Sequence, residues 1–201
     1  DLAKSESKQL SIRRQPIRLA MVVEELLDGA RPLADRKGVA LETGGLGALP
    51  IVNVDRDAIE KVIVNLVGNS LKFTERGGRI EVRGRALEDG GVELVVADTG
   101  VGLPADQLER IFDRFAQVDA SNTRRHEGTG IGLALVKELV GLHGGRVWAE
   151  SEGVGRGASF HVVFPVGDVD GDVQEEMFET SGVRSATLGN SLAAMEGEIE
   201  F

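Results

Sequence analysis

Two runs of strand-like alternation, GRIEVRGRAL (residues 78–87) and GVELVVADTG (residues 91–100), meet across the turn EDGG. They constrain the fold more than any other stretch. A period of two sends alternate side chains to opposite faces, and so short a glycine-bearing turn permits only an antiparallel hairpin. The flanking segments keep a different period. Val22, Val23, Leu26, Leu27, Ala30 and Leu33 recur at helical spacing between Leu19 and Arg36. Asp55 is a suitable N-cap for a second helix running to about Lys72 and closed by TERGG, with Ile59, Val62, Ile63, Leu66 and Val67 as its buried stripe. Pro104 is expected to open a helix over PADQLERIF, and GIGLALVKELVGLHGG supplies another. KGVALETGG, PIVNVD, GRVWAES and GASFHVVFPV read as further strands. Hairpins mixed with helices give the α+β class: a two-layer α/β sandwich whose mixed, mostly antiparallel sheet is covered on one face by helices.

The 201 residues divide unevenly. Residues 19–166 form the expected core domain. Residues 1–18 read as a linker and the end of a separate helix, with Pro16 breaking any continuation, and the start DLAKSES looks like an excised fragment. From Asp168 onward nine acidic residues face one basic residue, Arg184, so the tail (residues 167–201) carries -8 of the net charge of -10. Such a block resists packing and reads as a solvated linker. The rest is near balance, without the basic face that nucleic acid requires. The absence of cysteine excludes disulfides and thiolate metal sites and fits a reducing compartment. No apolar run reaches the ~20 residues of a membrane span.

Chemistry concentrates in four short stretches. In NLVGNSLKF (residues 65–73), Asn65 and Asn69 lie one helical turn apart on a face other than the apolar stripe, with Lys72 a further turn along. An amide oxygen is a neutral hard ligand suited to magnesium, and an ammonium nearby can meet phosphate as a point charge. The pair also fits a half-buried helix with satisfied amides. In DTGVG, Asp98 leaves a strand into Gly100 and Gly102; a carboxylate there can accept from an exocyclic amine, while glycine lets backbone approach a base closely. GTGIGL (residues 128–133) sets alternating glycines at a helix start, where free N–H groups and the helix dipole favour phosphate. A charged loop rather than a strand precedes it, which is the wrong context for a dinucleotide fold. GVGRGASF adds glycines before Ser159 on a strand expected beside Asp98.

Together these stretches resemble the ATP-binding catalytic domain of sensor histidine kinases, the Bergerat fold shared with gyrase, Hsp90 and MutL. The likeness covers roughly residues 19–166: NLVGNSLKF as the asparagine box, DTGVG and GTGIGL as glycine boxes, and IFDRFAQ between them as the phenylalanine box. The resemblance implies ATP and Mg2+ as cofactors. It makes Asn69 the metal ligand, Asn65 a support for metal and phosphates, and Lys72 a phosphate contact. Asp98 would read the adenine amine, aided by a water that Gly102 and Ser159 could hold; Gly100 belongs to the same box. Gly128, Thr129, Gly130, Gly132 and Leu133 would wrap the phosphates, and residues 113–127 would form a long ATP lid. Phe112 and Phe115 are either core packing or the anchor that couples lid to nucleotide.

Hydrolysing relatives carry a glutamate where this chain has Asn65, which is no general base. The resemblance therefore implies transfer of the γ-phosphoryl to a protein histidine, for relay to a response regulator aspartate, rather than hydrolysis. The sequence departs from the pattern at Ser70, where alanine is common, at Arg114, often proline, and at Gln117, often basic; either phosphate neutralisation then falls to Arg114, Arg124 or Arg125, or the Arg124–Arg125 pair is a solvated face of the lid. QVDASNTRR resembles the lids of hybrid kinases, which also carry receiver domains. His126, His143 and His161 lack the acceptor context, so the acceptor is expected on a hairpin domain outside this chain. The implied partners are that dimerisation and phosphoacceptor domain and a response regulator receiver domain, without nucleic acid or membrane contact by these residues. The expected compartment is cytoplasmic, the chain itself a monomer and the full-length protein a homodimer. A serine kinase of the anti-sigma type and a degenerate nucleotide-binding scaffold are the competing readings; phosphoryl transfer to a supplied histidine hairpin separates both from the first.

Overall fold

The computed structural model describes residues 12–88, 90–114 and 131–165. Its elements are β1 (Gln15–Arg18), α1 (Leu19–Lys37), β2 (Ala40–Gly44), β3 (Ile51–Val54), α2 (Arg56–Phe73), β4 (Arg79–Ala86), β5 (Val92–Asp98), α3 (Gly132–Leu142), β6 (Arg146–Glu150) and β7 (Ala158–Phe164). Five strands form one sheet in the order β2-β4-β5-β7-β6, with β2 parallel to β4 and the remaining pairs antiparallel. The hairpin read from the sequence is its centre: Val82 pairs with Val96 and Ile80 with Asp98.

The pleat sorts the sheet into two faces. Ile80, Val82, Leu94, Val96, Phe160, Val162 and Phe164 are buried in one cluster with the stripes of α1, α2 and α3. Full burial of each such side chain is worth about 1.5–3 kcal/mol. The α2 stripe is the expected one, with Ile59, Val62, Ile63, Leu66 and Val67 all at 2% exposure or less. Asp55 caps α2 by accepting from the Ala58 N–H at 3.0 Å. At the other end of α2, the Lys37 ammonium of α1 donates to the carbonyls of Leu71 and Lys72. The opposite face of the sheet carries charge and rings: Glu93 sits between Arg85 and His161, and Trp148 stacks on His161 with centroids 4.7 Å apart.

Two expectations change. No α-helix follows Pro104; the segment makes two three-residue 3-10 turns, Ala105–Gln107 and Arg110–Phe112, with Ile111 and Phe112 tucked into the core. Nine residues fall short of the length at which helix propagation repays nucleation. Residues 15–18, assigned by sequence to the linker, form β1 and pair antiparallel with β3, placing Ile17 opposite Val52. Phe112 is core packing, 5% exposed. Residues 115–130, which hold Phe115, Gln117, Arg124, Arg125, His126, Gly128, Thr129 and Gly130, lie outside the described residues, as do residues 1–11 and the tail after Pro165.

Candidate functional site

The face of α2 that turns away from the core carries Asn65 and Asn69, both half-buried. The Asn65 amide nitrogen donates to the Lys61 carbonyl one turn back at 2.7 Å, which fixes the amide and leaves its Oδ1 outward. That oxygen faces the first turn of α3: a Cβ on Gly132 would lie 2.5 Å from it. Glycine at position 132 therefore lets the start of α3 run directly past Asn65. Among the described residues no side chain caps the α3 N-terminus, where N–H groups suit an anion. Leu133 follows in the same turn and is half-buried.

Asp98 ends β5 at the same side of the sheet. Its Oδ2 accepts from the Ser70 hydroxyl at 2.9 Å; its Oδ1 accepts from the Gly100 N–H at 2.9 Å and the Ala158 N–H at 3.3 Å. Burial pushes the Asp98 carboxyl above the usual carboxylate range, while the bonds from Gly100, Ser70 and Ala158 work in the opposite direction. Ser70 was read from the sequence only as a small departure from alanine. It is 1% exposed and joins the asparagine helix to Asp98.

The glycines of DTGVG serve close backbone approach. A Cβ on Gly100 would meet the Phe73 carbonyl oxygen at 2.4 Å, and the Val101 N–H donates to that same oxygen at 3.1 Å, so the loop is stitched to the end of α2. Gly102, at φ +67°, packs where a Cβ would lie 2.2 Å from the Gly153 carbonyl. The loop between β6 and β7 completes this wall: the Gly157 N–H donates to Gly100, the Gly155 N–H to Val101, and the Ser151 hydroxyl accepts from the Leu103 N–H at 3.0 Å. Ser151 went unnoticed in the sequence because its partners are backbone groups of a distant loop.

Ser159 is placed differently from its sequence assignment, and Lys72 and Arg114 have protein partners of their own. Ser159 pairs with Ala97, and Ala158 with Asp98. The pleat therefore turns the Ser159 side chain to the face opposite Asp98, and it is the Ala158 N–H that reaches the carboxylate. Lys72 is 4% exposed, its Nζ 5.7 Å from the Phe73 ring centroid, so its charge is held against protein. Arg114 is exposed and pairs with Glu138 of α3 at 3.2 Å, beside a second bridge between Lys137 and Asp113 at 3.6 Å. Asn65, Asn69, Ser70, Asp98, Gly100 and Gly132 are thus joined through α2, while Ser159 is not.

Residues 54–168 match the family model described as histidine kinase-, DNA gyrase B-, and HSP90-like ATPase. An uncharacterized sensor-like histidine kinase of Rhizobium meliloti is 39% identical over 156 residues, covering 76% of this chain and 30% of that protein. Among solved structures, full-length ShkA in complex with AMPPNP superposes with a TM-score of 0.69 at 31% identity over 78% of this chain and 32% of that one. Histidine kinase ThkA in complex with the response regulator protein TrrA superposes with a TM-score of 0.64 at 21% identity, over 77% of this chain and 42% of that one, a likeness of fold. The chain spans less than a third of the length of the first relatives it matches. With the family model covering more than half of the residues and both boxes assembled on α2 and β5, the chain belongs to the histidine kinase-, DNA gyrase B- and HSP90-like ATPase family.

Proposed function

We propose that this chain is the ATP-binding kinase domain of a two-component sensor histidine kinase, moving the γ-phosphoryl of ATP to a histidine nitrogen of a hairpin domain, with ADP as the leaving product and a response regulator aspartate as the next acceptor. The observation that carries it is the convergence of the Asn65–Asn69 face, the N-terminus of α3 at Gly132, and the half-buried Asp98 carboxylate. Asp98 would accept from the base, and the α3 N–H groups would meet the phosphates.

The donor set fits magnesium in a particular way. Asn69, supported by Asn65, offers neutral amide oxygens, and among the described residues no three His, Cys, Asp or Glu side chains cluster as a cage. A cation held here would take few protein ligands and depend on the nucleotide's phosphates, the habit of magnesium. When bound it would neutralise phosphate charge. The chain's own residues orient the nucleotide: Asp98 holds the base end, Asn65 and Asn69 the phosphate end, and no carboxylate stands at position 65 to activate water.

The two described histidines support an acceptor elsewhere. Both ring nitrogens of His143 are engaged within the core, and His161 holds Glu93 through Nδ1 on the far face of the sheet. No described helix is long and apolar enough to cross a membrane, and a cytoplasmic setting accords with the cysteine-free sequence. The test is calorimetric nucleotide binding with and without magnesium, followed by phosphoryl transfer from labelled ATP to a separately supplied histidine hairpin. Binding should require magnesium and vanish in the Asn69→Ala, Asp98→Ala double variant; survival of binding there would overturn the site. Label on the hairpin histidine is the expected product, and label on a serine partner instead would overturn the histidine kinase reading.

A further inference from the structure

The Asp98 carboxylate has about four acceptor positions, two on each oxygen. Among the described residues, protein donors fill three of them: Gly100 and Ala158 take Oδ1, and the Ser70 hydroxyl takes one position of Oδ2. We propose that Ser70 is a positioning residue for base recognition, leaving Asp98 a single open acceptor on Oδ2 that selects a purine carrying one amine donor and rejects one that presents two adjacent donors. The inference rests on the nucleotide-binding reading above.

The geometry gives the selection its physical basis. A base offering two parallel N–H groups pairs best with a carboxylate whose two oxygens are both free, and Oδ1 here is saturated by backbone that cannot withdraw. A base offering one amine hydrogen needs only the remaining position on Oδ2. The Ser70 bond holds the carboxylate plane so that this position faces outward. It also supports the charged form, because a donor to a carboxylate favours ionisation against the pull of burial. The groups that shift Asp98 are the burial itself, Gly100, Ser70 and Ala158, none of them charged, so α2 acts on the carboxylate through this hydroxyl. Ser70 is 1% exposed and the space for a methyl group already exists, so Ser70→Ala removes the bond with little disturbance of packing.

The experiment measures dissociation constants of the 201-residue chain for three magnesium nucleotides: ATP, the triphosphate of purine riboside, which lacks the 6-amine, and GTP. The native chain should prefer ATP over both. Ser70→Ala should weaken ATP about 10-fold and purine riboside triphosphate less than about 2-fold, because the lost bond acts only through the amine contact. The acid limb of ATP binding should move to higher pH in the same variant, and Ser70→Thr, which keeps the hydroxyl, should restore both values. Equal loss for ATP and purine riboside triphosphate, or an unmoved acid limb, overturns the role of Ser70 while Asp98→Ala still abolishes binding. Equal affinity of the native chain for the three nucleotides overturns this inference alone, whereas failure to bind any of them overturns the nucleotide reading and this inference with it.

Discussion

Replacing His143 by phenylalanine isolates a polar joint between the two helices that carry the site. His143 follows α3, is 2% exposed, and meets the Phe164 ring edge-on with centroids 5.7 Å apart. Its Nδ1 lies 2.7 Å from the Leu139 carbonyl oxygen, so that nitrogen carries the proton, and its Nε2 accepts from the Asp55 N–H at 3.0 Å. One ring therefore satisfies a terminal carbonyl of α3 and fixes the residue that caps α2. Phenylalanine preserves ring volume and the contact with Phe164 but leaves both backbone groups without their partner. An orphaned buried group costs about 1–3 kcal/mol. Asp55 is only half-buried and recovers part of its loss from water, so the expected destabilisation is about 2–4 kcal/mol. Urea unfolding followed by circular dichroism measures it as a lower midpoint at unchanged slope. A change below about 0.5 kcal/mol, the range of an inert surface substitution, would refute the claim that this imidazole joins α3 to α2.

Gly157→Ala should destabilise the chain by at least about 1–2 kcal/mol, the cost of a left-handed side chain, and weaken ATP binding as well, since φ is +73° there and a Cβ would fall 2.0 Å from the Asp98 carbonyl oxygen; native affinity by calorimetry would contradict it. Burial raises the Glu93 carboxyl, but Arg85 and His161 outweigh burial and hold it below the usual range, so its contribution is complete above the ordinary carboxylate pKa and fades as pH falls through the lower folded value. Unfolding between about pH 6 and about pH 3 should accordingly show a steeper acid loss in the native chain than in Glu93→Gln, and parallel curves would count against it.

Local pattern made much of this molecule readable and long-range register hid the remainder. The β4–β5 hairpin, the α2 stripe and the Asp55 cap are encoded within a few residues of one another, where periodicity and turn chemistry act directly. The placement of Asp98 at a strand end and of Asn65 and Asn69 off the apolar stripe was legible for the same reason. The faces of β7 were not: which of Ala158 and Ser159 looks toward Asp98 depends on a pairing across 60 residues, and a one-residue shift exchanges them. Ser70 and Asp98 meet across 28 residues between a helix and a strand, so the hydroxyl's role needed the packing. Over PADQLERIF the proline and a few apolar residues imitate a helix start, but the core draws in only Ile111 and Phe112 as buried contacts. β1 escaped notice because four residues that include Pro16 carry little alternation; β3 supplies the partner that makes them a strand.

The short ribbon ahead of α1 has a mechanical meaning. The Arg13 N–H donates to the Asp55 carboxylate, and the Arg14 guanidinium donates to the Leu142 carbonyl at 3.0 Å, just before β1 locks onto β3. A pull or twist applied to the chain at residue 12 would load the head of one site helix and the foot of the other simultaneously, like a hand on a yoke. Whatever moved that leash would rock α2 and α3 together.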